Sequence, residues 1–95
     1  MMTLFFRCVT EFIGTFVFLS VIILTGDAIP IAITLGAMLY FTAKISDGHL
    51  NPAVSIMLYA KGNIDTLTLC GYILSQVLAG ICALLWYNKA YSKIK

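Results

Sequence analysis

Three apolar stretches, at roughly residues 8–24, 28–45 and 67–87, are each long enough to cross a hydrocarbon layer, and this leaves few folds open to the chain. A bilayer core of about 30 Å takes about 17 to 25 residues of helix. Inside lipid every backbone N–H and C=O must find a partner within the protein. Spans are therefore helices or strands of a closed barrel, and three spans cannot close a barrel. The expected fold class is an all-α membrane protein, integral and multi-pass, with the lipid bilayer as its first partner. Composition agrees: 61% of the 95 residues are hydrophobic and 11% charged, with a mean hydropathy of +0.99. A soluble domain of this size has too little interior to hide so much apolar surface.

Other classes fall away on charge and chemistry. The net charge is +2, and Arg7, Lys44, Lys61, Lys89, Lys93 and Lys95 are dispersed rather than gathered with aromatics on one face, so no nucleic-acid partner is expected. Cys8, Cys70 and Cys82 lie in apolar runs without ligand spacing and are read as packing residues, with no metal and no cofactor implied. No nucleophile–base pair or phosphate loop argues for an enzyme. The first apolar run contains Glu11 and ends at Thr25-Gly26-Asp27 without a small-x-small cleavage site, so it is expected to be a retained span.

Between the second and third spans, residues 46–60 do not behave as an ordinary loop. Ser46 through Asn51 is polar and contains Gly48, whereas Pro52 through Ala60 is apolar and stops at Lys61-Gly62-Asn63. Asn51 suits an N-cap, Pro52 a first helical position and Gly62 a C-terminal stop. A helix over 52–60 would be about 13 Å long, roughly half the hydrocarbon thickness, so it cannot span. Extended chain ahead of Asn51 reaches about 16 Å, enough to go from the membrane surface to the midplane. The expectation is three transmembrane helices plus one re-entrant half-helix, with Asn51 at the deepest point.

Irregular backbone at that depth is tolerated only where protein covers it or water fills the space beside it. The carbonyls of Asp47, Gly48 and His49 are expected to line an aqueous path as acceptors, with the Asn51 amide offering donors at its centre. The half-helix N-terminus adds about half a positive elementary charge there, which water tolerates and a cation does not. Glu11, a carboxylate within a span, is costly and functional by default.

Gly48-His49-Leu50-Asn51-Pro52-Ala53-Val54 resembles the N-P-A loop of the major intrinsic proteins, the aquaporins and glycerol facilitators. Glu11-Phe12-Ile13-Gly14-Thr15 is similar to that family's E-F-x-G-T, and Tyr72-Ile73-Leu74-Ser75-Gln76 to its aromatic-I-x-A/S-Q pattern. The resemblance covers essentially the whole chain and implies half of an aquaporin-like fold as a single unit over residues 1–95. It implies that Asn51, Pro52 and Ala53 form the pore motif and that Glu11 and Gln76 support the loop. Gly14, Gly71, Gly80, Ala79 and Ala83 are read as close helix contacts.

Members of that family carry six spans and two such loops as an inverted repeat, whereas this sequence carries one repeat. The resemblance therefore implies a pore formed by an inverted, antiparallel homodimer, and by analogy four such pairs, or eight chains. Charge counting agrees with insertion in both orientations: Arg7, Lys44 and Lys61 fall on one side of the membrane and Lys89, Lys93 and Lys95 on the other.

The family's constriction maps onto Ile31 of one copy with Leu39, Gly48 and Val54 of the other. Val54 stands where the family's filter places an arginine, so the expected constriction is apolar. The expected function is passive conduction of water and small neutral solutes, among them glycerol, urea, ammonia or gases. Two rivals are a non-conducting partner subunit of a full-length channel and a small dual-topology, proton-coupled exporter that uses Glu11.

Overall fold

The computed structural model describes residues 2–91, as helices α1 (Leu4–Thr25), α2 (Ala28–Ser46), α3 (Pro52–Lys61) and α4 (Thr66–Trp86), with a π-helical turn over Tyr87–Tyr91. Each α-helix starts on a side-chain cap. Thr3 accepts from the Phe6 amide at 3.1 Å, Asp27 from Ile29 at 3.1 Å, Asn51 from Ala53 at 2.8 Å and Asp65 from Thr68 at 2.9 Å, satisfying donors that have no intrahelical partner. Hydrogen bonding from Thr68, through its side chain and its backbone N–H, holds the exposed Asp65 carboxyl below the usual carboxylate range.

Several boundaries differ from the sequence reading. α1 begins at Leu4 rather than at residue 8, because Thr3 caps it and a charged Arg7 ends a hydrocarbon run without ending a helix. Ser46, expected to open the loop, is the last residue of α2, and Asp47 at φ 68° terminates that helix. The half-helix runs on to Lys61, where Gly62 at φ 93° stops it. The last span begins at Thr66 and continues past Trp86 as the π turn.

α1 is the central helix. On one side α2 runs antiparallel to it, brought close because Gly14 has no side chain to hold Thr42 away. On the other side α4 runs parallel, with Gly71 against Cys8 and Gly80 against Leu19. Ala79 and Ala83 are buried beside them. At the far end Trp86 Nε1 donates to Ser20 at 3.0 Å, and the rings of Tyr87 and Tyr91 pack with centroids 5.4 Å apart, aromatic residues of the kind enriched at membrane interfaces. α3 packs against α4.

The interior is polar and the surface apolar. Glu11, Thr15, Ser46, Ser55 and Gln76 are buried, while Phe5, Ile33, Tyr40, Phe41 and Leu67 are among many large apolar side chains left exposed. In water that arrangement would be inverted; in lipid it puts the apolar groups in their solvent and hides the polar ones from it. With three helices of spanning length and apolarity, the chain is an integral membrane protein. Arg7, Lys44 and Lys61 lie at the end of the bundle where α1 starts, and Lys89 lies at the opposite end. Lys93 and Lys95 are outside the described residues.

Candidate functional site

The loop between α2 and α3 is organised around one carboxylate. Glu11 Oε2 accepts from Ser46 Oγ at 2.6 Å and from the His49 amide at 3.0 Å. Its Oε1 accepts from the Leu50 amide at 2.7 Å and from Gln76 Nε2 at 3.0 Å. Four donors from α2, the loop and α4 thus surround a fully buried group, which offsets its loss of hydration.

A second ring of contacts fixes the loop's side chains. Gln76 Nε2 also donates to Ser55 Oγ at 3.1 Å, and Ser55 lies 2.7 Å from His49 Nδ1. Ser55 Oγ, which accepts from Gln76, has both a second lone pair and a proton with which to meet His49 Nδ1, so it holds the imidazole in place in either tautomer. The His49 ring packs edge-on against Tyr72 at 4.8 Å between centroids, and Tyr72 donates its hydroxyl to the Ser46 carbonyl at 2.8 Å.

These bonds orient the backbone. In a trans peptide the N–H of one residue and the C=O of the residue before it point in opposite directions, and none of the described peptides is cis. Since the His49 and Leu50 amides point at Glu11, the Gly48 and His49 carbonyls point away from it. The loop reaches this shape through left-handed conformations at Asp47, Gly48 (φ 62°) and Leu50 (φ 56°). For a residue as bulky as leucine that conformation is strained. It is held by the amide bond to Glu11 and by burial of the Leu50 side chain.

On the side away from Glu11 lies an open groove of about 310 Å³, bounded by the loop, α2, α3 and one face of α1. Gly48, His49, Leu50 and Asn51 line it on the loop side; Phe18, Leu35, Leu39 and Val54 form an apolar wall. Asn51 is exposed there. Its Oδ1 is engaged by the Ala53 amide, which leaves its NH2 as the donor end. The groove is thus amphipathic. Loop carbonyls and one amide can accept and donate hydrogen bonds along one side, and the N-terminus of α3 presents a partial positive charge there.

The residues singled out in the sequence distribute as follows. Leu39, Gly48, Val54 and Asn51 meet on the groove, with Pro52 and Ala53 opening α3 beside it. Asp47 does not line it and instead ends α2. Ile31 lies more than a turn beyond Leu35 along α2 and is outside the lining. Glu11 and Gln76 meet behind the loop. Sequence reasoning missed Ser46, Ser55 and Phe18. The one available signal was Ser55, a lone hydroxyl in the apolar first turns of the half-helix.

A family model described as Major intrinsic protein matches residues 2–94. Among curated relatives, the chain is 41% identical over 58 residues to Aquaporin Z of Photorhabdus laumondii, covering 61% of this chain and 25% of the relative. It is 37% identical over 86 residues to the Glycerol uptake facilitator protein-like 6 of Lactiplantibacillus plantarum, covering 81% and 40%. To Aquaporin PIP2-7 of Arabidopsis thaliana it is 33% identical over 107 residues, covering 94% and 38%. The chain thus spans well under half the length of these relatives. No solved structure matches it.

Proposed function

Because the chain belongs to the major intrinsic protein family, we propose that it is a passive transmembrane channel for water and small neutral solutes, with a pore completed by a second copy inserted in the opposite orientation. The observation that carries this reading is the outward turn of the Gly48 and His49 carbonyls into an open groove, enforced by Glu11 from behind. In lipid, polar backbone facing an open groove needs a covering element. An antiparallel copy would supply its own groove as the missing wall and bring two Asn51-capped helix ends together at the midplane. Four such pairs, eight chains, would match the family's usual association.

A solute in this pore would exchange hydration for the carbonyl strip and the Asn51 amide, and would pass along an apolar wall that includes Leu39 and Val54. Water and small neutral molecules make that exchange at little cost; ions face the loss of their hydration and the positive ends of two half-helices. Its relatives, named as aquaporins and a glycerol uptake facilitator, favour solutes of this class.

Stopped-flow swelling of proteoliposomes tests the reading. Permeability above lipid-only vesicles for water or for glycerol, urea or ammonia is expected. Permeability equal to lipid alone for all of them would rule out a channel made by this chain and favour a non-conducting partner. Cross-linking of engineered single cysteines would report whether paired copies are antiparallel.

A further inference from the structure

We propose that Phe18 sets the size limit of the solute, an inference that rests on the channel reading above. The groove wall receives one residue from α1, and that residue is Phe18, the wall's bulkiest side chain and its only benzyl group; Leu35, Leu39 and Val54 around it are aliphatic. Its ring is only half-buried, so part of it faces the open groove rather than the packed interior.

The opposite side of the groove cannot yield. The loop is tethered by its His49 and Leu50 amides to Glu11, and the Leu50 side chain is set into the hollow at Gly14. Free width is therefore decided on the apolar side. Phe18 follows Gly14 by one helical turn, about 6 Å along α1. This places the Phe18 backbone one turn past the hollow that seats Leu50, with its ring on the same groove as Gly48 and Leu39. In an inverted pair the second Phe18 would occupy the mirror position, so a solute would meet the same ring twice. An aromatic face there offers no donor or acceptor strong enough to replace water, so a solute passes only if it fits while keeping its hydrogen bonds to the loop strip.

The test measures water, urea and glycerol permeability for the wild type, Phe18→Leu, Phe18→Ala and Phe18→Trp, with Phe12→Ala as the control. Phe12 lines a different groove between α1 and α4, so its truncation removes the same ring from α1 without touching the proposed path. Shortening Phe18 is expected to raise the glycerol-to-water permeability ratio by about tenfold, the scale at which apolar pockets discriminate small differences in size. Phe18→Trp is expected to abolish glycerol passage before water passage, and Phe12→Ala to leave the ratio unchanged. Phe18 variants that conduct water like wild type with an unaltered ratio would overturn the inference and leave the channel reading standing, as would a Phe12→Ala shift of equal size. Absence of any wild-type permeability would overturn both. Should the alanine variant fail to fold, the leucine and tryptophan variants still decide the matter.

Discussion

Leu50 fills the hollow that Gly14 leaves on α1. A Cβ on Gly14 would stand 2.8 Å from Leu50 Cδ2 and 2.9 Å from Thr42 Cγ2, both closer than packed carbons tolerate. The smallest residue of the central helix thus seats the strained residue of the loop, and the two act as one packing unit.

Gly14→Ala should accordingly destabilise the protein by about 1–3 kcal/mol, the usual cost of forcing a methyl into a filled core. Adding Leu50→Ala should recover part of that loss, since the new methyl then enters the vacated space; valine would not serve, because a β-branched residue is poorly tolerated at positive φ. Thermal unfolding of the four-member cycle in detergent measures the coupling. Additive losses would show that the two residues do not share a cavity.

Glu11→Gln removes the charge that four donors converge on and turns an NH2 toward backbone N–H groups. A loss of about 2–4 kcal/mol in stability is expected, from the cost of leaving buried donors unpaired. Swelling rates normalised to the amount of folded protein should fall. A wild-type flux that depends on a proton gradient and vanishes in Glu11→Gln would instead identify an exporter.

Asn51→Asp keeps the cap on Ala53 but places a negative charge against the positive end of α3. The barrier to cations should fall, so that proteoliposomes loaded with a pH-sensitive or potassium-sensitive dye leak faster than wild type. Equal ion leakage in the two proteins would show that the half-helix end contributes little to exclusion.

Asp65 offers a pH test outside the spans. Its carboxyl titrates below the usual aspartate range in the folded chain, so its charged cap stabilises α4 above the unfolded pKa, and that contribution is lost as pH falls through the lowered folded value. Asp65→Asn should be less stable than wild type at pH 7, and the difference should vanish in acid. A gap between the two melting temperatures that is constant from pH 7 to pH 3 would refute this.

How much of this was legible in the sequence depends on whether the information was local. The spans and the half-helix follow from runs of apolar residues and from caps a few positions away, such as Asn51 with Pro52 and Asp65 before Thr66. The limits failed where a local rule was misapplied: Arg7 marked the edge of a hydrocarbon run, but Thr3 had already begun the helix. Glu11 announced itself because a carboxylate in a span demands partners. The hydroxyls of Ser46 and Ser55 made no such demand, since each could have bonded its own helix backbone, and Tyr72 could have turned its hydroxyl to a membrane interface. The left-handed turn at Leu50 was equally silent, because it exists only through contacts with Glu11 and Gly14 on another helix. Phe18 looked like any apolar residue of α1, and only the packing of α2, the loop and α3 makes it part of the groove wall.

The partners of Glu11 are separated from it by 35, 38, 39 and 65 positions along the chain. During synthesis the carboxylate is therefore made well before the groups that satisfy it, and the last of these, Gln76, arrives only with α4. The bend that carries Asn51 therefore has its full set of bonds only once α4 is in place. A nascent chain halted before Gln76 leaves the ribosome would hold an acid still one donor short.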